Sequence, residues 1–153
     1  MALNEEIALL AMLPALGTLG QPALRRLVFS AQTRILRRGE VLYRKGEIAD
    51  GAFMVISGHV ELDSGHPSSP PQIVGGGVLL GELALLIDLP WPATATAHEV
   101  SSIMKIPRPL IRGIFEEFPE AAEAFRNLIA GQLASLSTNL EGVRRKLQSI
   151  DEA

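Results

Sequence analysis

A chain of 153 residues, 47% hydrophobic and 20% charged, is long enough for one domain with a substantial core and too apolar to stay unfolded. A net charge of −3 gives no general attraction to nucleic acid or to anionic membrane. With no cysteine, disulfides, zinc–thiolate and iron–sulfur sites and cysteine nucleophiles are excluded, and no apolar run reaches the ~20 residues that a membrane-spanning helix requires.

The first segment, MALNEEIALLAML, is apolar but carries Glu5 and Glu6 and no early base. A signal peptide needs the opposite charge, so a cytoplasmic location is expected. Residues 3–12 read as a short helix with Leu3, Ile7 and Leu10 on one face, and Pro14 interrupts it. Pro22 starts a second helix with Leu24, Leu27 and Val28 turned inward. Residues 1–30 are therefore taken as N-terminal helices.

From Thr33 the pattern changes to short strands separated by glycine turns. Arg37-Arg38-Gly39-Glu40 is a turn, Val41-Leu42-Tyr43 a strand, and Lys45-Gly46-Glu47 another turn. Ala52 to Ile56 and Val60 to Leu62 are strands around a Ser57-Gly58 turn. Ser64 to Pro71 is a polar loop. Three glycines, Gly75 to Gly77, read as a turn into Val78-Leu79-Leu80, in preference to an anion nest. Val100 to Ile106 is the last strand, which closes a β region over residues 31–107.

Residues 108–150 are expected to be helical. Pro109 sits at a helix start, with Ile111, Ile114, Phe115 and Phe118 on its apolar face, and Pro119 opens a long helix towards the C-terminus. Along that helix Ile129, Leu133, Leu136, Leu140, Val143, Leu147 and Ile150 follow at spacings of 4, 3, 4, 3, 4 and 3. This a/d repeat makes a narrow seam about 33 Å long, as expected where a helix meets its copy in a homodimer. A helix lying on a β core shows a wider stripe. Gly131 and Gly142 weaken the helix by about 1 kcal/mol each, and the flanking positions carry few complementary charges. The seam could instead lie against the β region.

The run from Leu80 to Ala97, LGELALLIDLPWPATATA, resembles the phosphate-binding cassette of cyclic-nucleotide-binding domains, as in catabolite-activator proteins and protein kinase A regulatory subunits. That cassette reads F-G-E-[LI]-A-L, a few loop residues, then P-R-[AS]-A-T. Gly81, Glu82, Leu83, Ala84, Leu85, Pro90, Ala93 and Thr94 hold the pattern. The run RRGEVLYRKGEIADGAFMVISGHVEL is similar to the first half of the family's barrel. The resemblance covers residues 20–140. It implies a mainly β fold with flanking helices: an eight-stranded β-roll of the jelly-roll kind, preceded by short helices and followed by a long C-terminal helix, as a single domain over residues 1–153.

By the same resemblance, Gly81, Glu82, Leu83, Ala84, Trp91, Pro92, Ala93 and Thr94 form the ligand site. Glu82 would accept from a ribose hydroxyl, and the Gly81–Leu83 turn would present amides to the phosphate. Ser137 and Thr138 lie where a hydroxyl caps the base in some members, or are solvated positions beside the seam. The sequence departs from the pattern at two places. Trp91 stands at the arginine position and Pro92 at a position whose N–H also donates to the phosphate. Tryptophan offers one neutral N–H and proline none. Losing the charged partner of a buried anion costs about 2–5 kcal/mol, so a site for cyclic AMP or cyclic GMP is expected to be lost or weakened. The pocket could be empty, filled by Trp91, or tuned to a more apolar ligand. Arg108, Arg112 and Arg126 are the candidates for a relocated cation.

No enzyme is indicated. His59, His66 and His98 share no ligand spacing, so no metal or other cofactor is expected. The adjacent pairs Glu5-Glu6 and Glu116-Glu117 cannot face each other on a helix. Arg144-Arg145-Lys146 suits a solvated helix end. Transcription factors of the resembling family continue into a helix-turn-helix domain; with the sequence ending at Ala153, no recognition helix and no nucleic-acid partner are expected. The expected function is a stand-alone regulatory or sensory domain acting through dimerisation or a protein partner, with a working cyclic-nucleotide sensor as the alternative.

Overall fold

The computed structural model describes residues 2–132 and Ala134. Helix α1 (Ala2–Met12), a 3-10 turn (Leu16–Leu19) and helix α2 (Gln21–Ser30) form the N-terminal layer. Proline in the first turn of α2 costs no hydrogen bond there. Ile7 and Leu10 of α1 and Ala23, Leu24, Leu27 and Val28 of α2 are buried, at the positions the helical period selects.

Ten strands follow among the described residues: β1 (Gln32–Leu36), β2 (Val41–Tyr43), β3 (Ile48–Ala49), β4 (Gly51–Ser57), β5 (His59–Asp63), β6 (Gln72–Gly75), β7 (Leu79–Leu80), β8 (Leu89–Pro90), β9 (Thr94–Ala97) and β10 (Ser101–Pro107). Eight of them make two antiparallel four-stranded sheets, β1-β10-β4-β7 and β2-β9-β5-β6. Those eight are the expected roll. The other two, β3 and β8, pair as a separate arm in which Ile48 faces Pro90 and Ala49 faces Leu89. Two-residue strands, one containing proline, carry no periodicity that a sequence can show.

Two cores share one wall. Alternation along β4 sends Ala52 and Met54 to the helices and Phe53 and Val55 into the roll. In β10, Met104 and Ile106 face the helices while Ile103 faces inward. The roll interior draws on both sheets, with Leu36, Leu42, Val60, Ala95 and Ala97 among its members.

The sheet leads into α3 (Arg108–Glu117), and a helix over residues 119–132, α4, follows after Phe118. Ile111, Ile114 and Phe115 of α3 and Ala121, Ala122, Phe125 and Ile129 of α4 complete the helical core, with the Phe115 and Phe125 rings 5.4 Å apart. Ile129, the first position of the proposed dimer seam, is thus taken into the chain's own core at 2% exposure. A wider stripe than a/d alone governs this part of the helix. Leu133, Leu136, Leu140, Val143, Leu147 and Ile150, and also Ser137 and Thr138, lie outside the described residues.

Candidate functional site

The cassette begins at Gly81, which sits at φ 83° and caps a 3-10 helix over Glu82–Leu85. That left-handed conformation suits only glycine without strain. Space makes a second demand. A Cβ on Gly81 would stand 2.5 Å from Cη2 and 2.8 Å from Cζ3 of Trp91, and 3.2 Å from the Gly51 carbonyl oxygen. The indole tip therefore lies directly on the first turn of the cassette.

Trp91 is placed there by the arm. Its N–H donates to Glu47 O at 2.8 Å, and its carbonyl accepts from Gly46 N–H at 2.9 Å. Alternation then points Trp91 inward between exposed Pro90 and Pro92. The indole is 6% exposed and stacks on Tyr43 at 3.7 Å between ring centroids, with 11° between planes. Phe53 lies 5.9 Å from both rings. Burial pushes the Tyr43 hydroxyl pKa up to about 12, so the stack stays neutral at physiological pH.

A cavity of about 460 Å³ remains between the cassette and the arm. Its walls include Tyr43, Leu62, Leu80, Leu83, Leu89 and Trp91, and Pro92 and Ala93 also border it. Among the described residues that line it there is no lysine, arginine or histidine. Glu82 is the lone carboxylate among the described lining residues. Its Oε1 is buried without a hydrogen-bond partner among the described residues, and desolvation raises its pKa above the ordinary carboxylate value.

Arg108 sits behind the cassette, outside the cavity, and is 9% exposed. Its Nε donates to Ala84 O at 2.8 Å, and its Nη2 to Ala49 O at 3.0 Å and Ile87 O at 2.9 Å. Nη1 donates to the carboxylate of Asp88. Four of its five N–H groups are engaged in holding the cassette and the arm. It is no phosphate ligand in this arrangement. Arg112 and Arg126 border a different groove beside Phe115, and the Arg126 guanidinium lies 5.6 Å from that ring's centroid.

The structure thus brings Gly81, Glu82, Leu83, Ala84, Trp91, Pro92 and Ala93 together around one cavity. Thr94 turns elsewhere: its hydroxyl accepts from Lys45 N–H at 3.0 Å, and it borders a polar cleft with Glu61 and Asp63. Sequence reasoning missed Tyr43 as the stacking partner and Arg108 as the clamp. One signal for Arg108 was present. A cation at the first position of a helix opposes the dipole, and such a residue needs an anchoring reason. His59, scattered from the other histidines, has a local partner, with Nδ1 2.8 Å from Glu99 Oε1.

The sequence profile described as "cyclic nucleotide-binding domain" matches residues 33–118, more than half of the chain. The chain belongs to the cyclic nucleotide-binding domain family. A cyclic nucleotide-gated potassium channel of Rhizobium etli is 32% identical over 118 residues, which is 77% of this chain and 32% of the channel. A lysophospholipase of Aspergillus fumigatus is 27% identical over 133 residues, 85% of this chain and 9% of that protein. The chain therefore spans a third or less of these two relatives. Among solved structures, the N-terminal domain of a transcriptional regulator from Streptomyces coelicolor superposes with a TM-score of 0.78 at 25% identity, covering 86% of this chain and 94% of that one. A cyclic nucleotide-binding-like protein from Brucella abortus gives a TM-score of 0.66 at 28% identity, over 73% and 98%. The family's regulatory and sensory fold, with antiparallel sheets and flanking helices, is the fold of this chain. No helix among the described residues is long and apolar enough to cross a membrane.

Proposed function

We propose that this chain is a non-enzymatic, cytoplasmic regulatory module whose cassette no longer takes a cyclic nucleotide at useful concentration. It acts through homodimerisation along the C-terminal helix from Leu133 onward or through a protein partner. One observation carries the reading: the Trp91 indole lies on the Gly81 turn, where an arginine fork and a phosphate meet in the resembling cassettes. A buried phosphate needs donors in place of water. The cavity supplies no cation from the described residues, and the carboxylate of Glu82 stands unpaired beside it. Pro92 adds no N–H.

In a family that works by ligand-shifted populations, a cassette filled by its own side chain sits in one state. The signal then comes from what the module contacts. The relatives support regulation as the class: a gated channel and a transcriptional regulator carry the same fold.

Calorimetric titration with cyclic AMP and cyclic GMP, to millimolar concentration and at two temperatures, tests the reading. No saturable heat is expected at either temperature. Binding at low micromolar concentration overturns the proposal and makes the chain a working nucleotide sensor whose phosphate contact comes from another group.

A further inference from the structure

Three features of the cavity beside the cassette bear on what it takes in place of a nucleotide. Its walls are leucine side chains and the Tyr43–Trp91 pair. Its described lining holds no cation. Yet it keeps a carboxylate, Glu82, whose buried Oε1 has no hydrogen-bond partner among the described residues.

A carboxylate drawn out of water and left unpaired is destabilising. A ligand that brings a charged N–H donor removes that cost, whereas an anion adds to it. The walls reward an apolar body, and aromatic faces attract cations. At about 460 Å³ the space suits a small organic molecule. A ligand with a hydrocarbon or aromatic body and one cationic end meets every group present.

We propose that this cavity binds a small organic amine, its ammonium on the Glu82 carboxylate and its body between Trp91 and the leucines. The proposal rests on the reading that no cyclic nucleotide occupies the cassette. It reverses the charge preference of the site, from a phosphate anion to an ammonium cation. Specificity then lies in the pairing of one carboxylate with an apolar chamber, and the partner is recognised by shape and charge with no backbone nest involved.

Trp91 is the single tryptophan of the chain, so its emission reports on this cavity alone. The full 153-residue chain is titrated with 2-phenylethylamine and, separately, with 3-phenylpropanoate, a probe of similar size and opposite charge. Saturable change with the amine, at least about tenfold tighter than with the acid, is the expected result. Glu82→Gln is expected to weaken the amine by about tenfold or more while leaving the acid unchanged or improved. Equal affinity for the two probes overturns the proposal, since apolar burial alone would then account for binding. Absence of saturation with either also overturns it. The comparison on the unaltered chain needs no variant to fold. Titration with cyclic AMP in the same cuvette separates the two readings: nucleotide binding sinks the proposed function, whereas amine and acid results judge the cation site.

Discussion

The contact between Gly81 and Trp91 sets the geometry of the first turn of the cassette. Gly81 is constrained by its positive φ and by the indole above it. Gly81→Ala is expected to cost about 2–4 kcal/mol, from left-handed strain and overpacking together. Trp91→Ala empties a buried position and costs about 3–5 kcal/mol. Because alanine at 81 no longer meets the ring once the ring is gone, the double variant should fall short of the sum by 1 kcal/mol or more. Urea unfolding of the four proteins measures that coupling, and strict additivity would disprove the contact. Glu82 gives a pH signature. Its folded pKa lies above the ordinary 4.5, so the native state binds more protons than the unfolded one between the two values. Stability contributed by this group therefore falls as pH rises through that window. Glu82→Gln removes the effect, and its melting temperature should exceed that of the parent at pH 7. The gap should close as pH is lowered below the ordinary carboxylate value. A gap that persists at acid pH would point to a cause other than charge.

At the scale of elements, the strands of the roll were legible wherever alternation or a glycine turn marked them. Residues 41–43, 51–57 and 59–63 follow such marks. The arm was not, because two-residue strands have no period and Pro90 argues against a strand. The cassette was legible by resemblance, and so was the absence of an arginine at position 91. The fate of that position was not, since burial of Trp91 depends on Glu47 and Gly46 binding its backbone from a distant turn. Arg108 was hidden for the same reason: its four acceptors lie 20 to 59 residues away in sequence. Arg108→Lys keeps the charge but replaces a planar fork with a single ammonium. It leaves the buried carbonyls of Ala49 or Ala84, or the half-buried carbonyl of Ile87, without a donor, and should cost about 3 kcal/mol. Hydrogen exchange of the 84–88 amides should accelerate more than that of β5, and uniform acceleration would place Arg108's role in global stability alone.

For the whole molecule, the proposed seam is the prediction with most at stake. Since Ile129 is engaged in the chain's own core, pairing between copies depends on Leu133 onward. The intact chain is expected to sediment as a dimer at micromolar concentration, and Leu140→Glu as a monomer with an unchanged circular dichroism spectrum of the roll. A monomeric parent would remove dimerisation from the proposal and leave a partner protein as the output. The clamp at Arg108 bears on how any such output connects to the cavity. One planar group joins the arm at Ala49 and the cassette at Ala84 and Ile87, and is itself the first residue of α3. Mechanically it is a pivot with its attachment points already taken. If an occupant displaced the cassette, Arg108 would carry the movement to the first turn of α3, which packs its Phe115 against Phe125 of α4. Under the proposals above, cavity and C-terminal helix would be geared together, with one guanidinium as the axle.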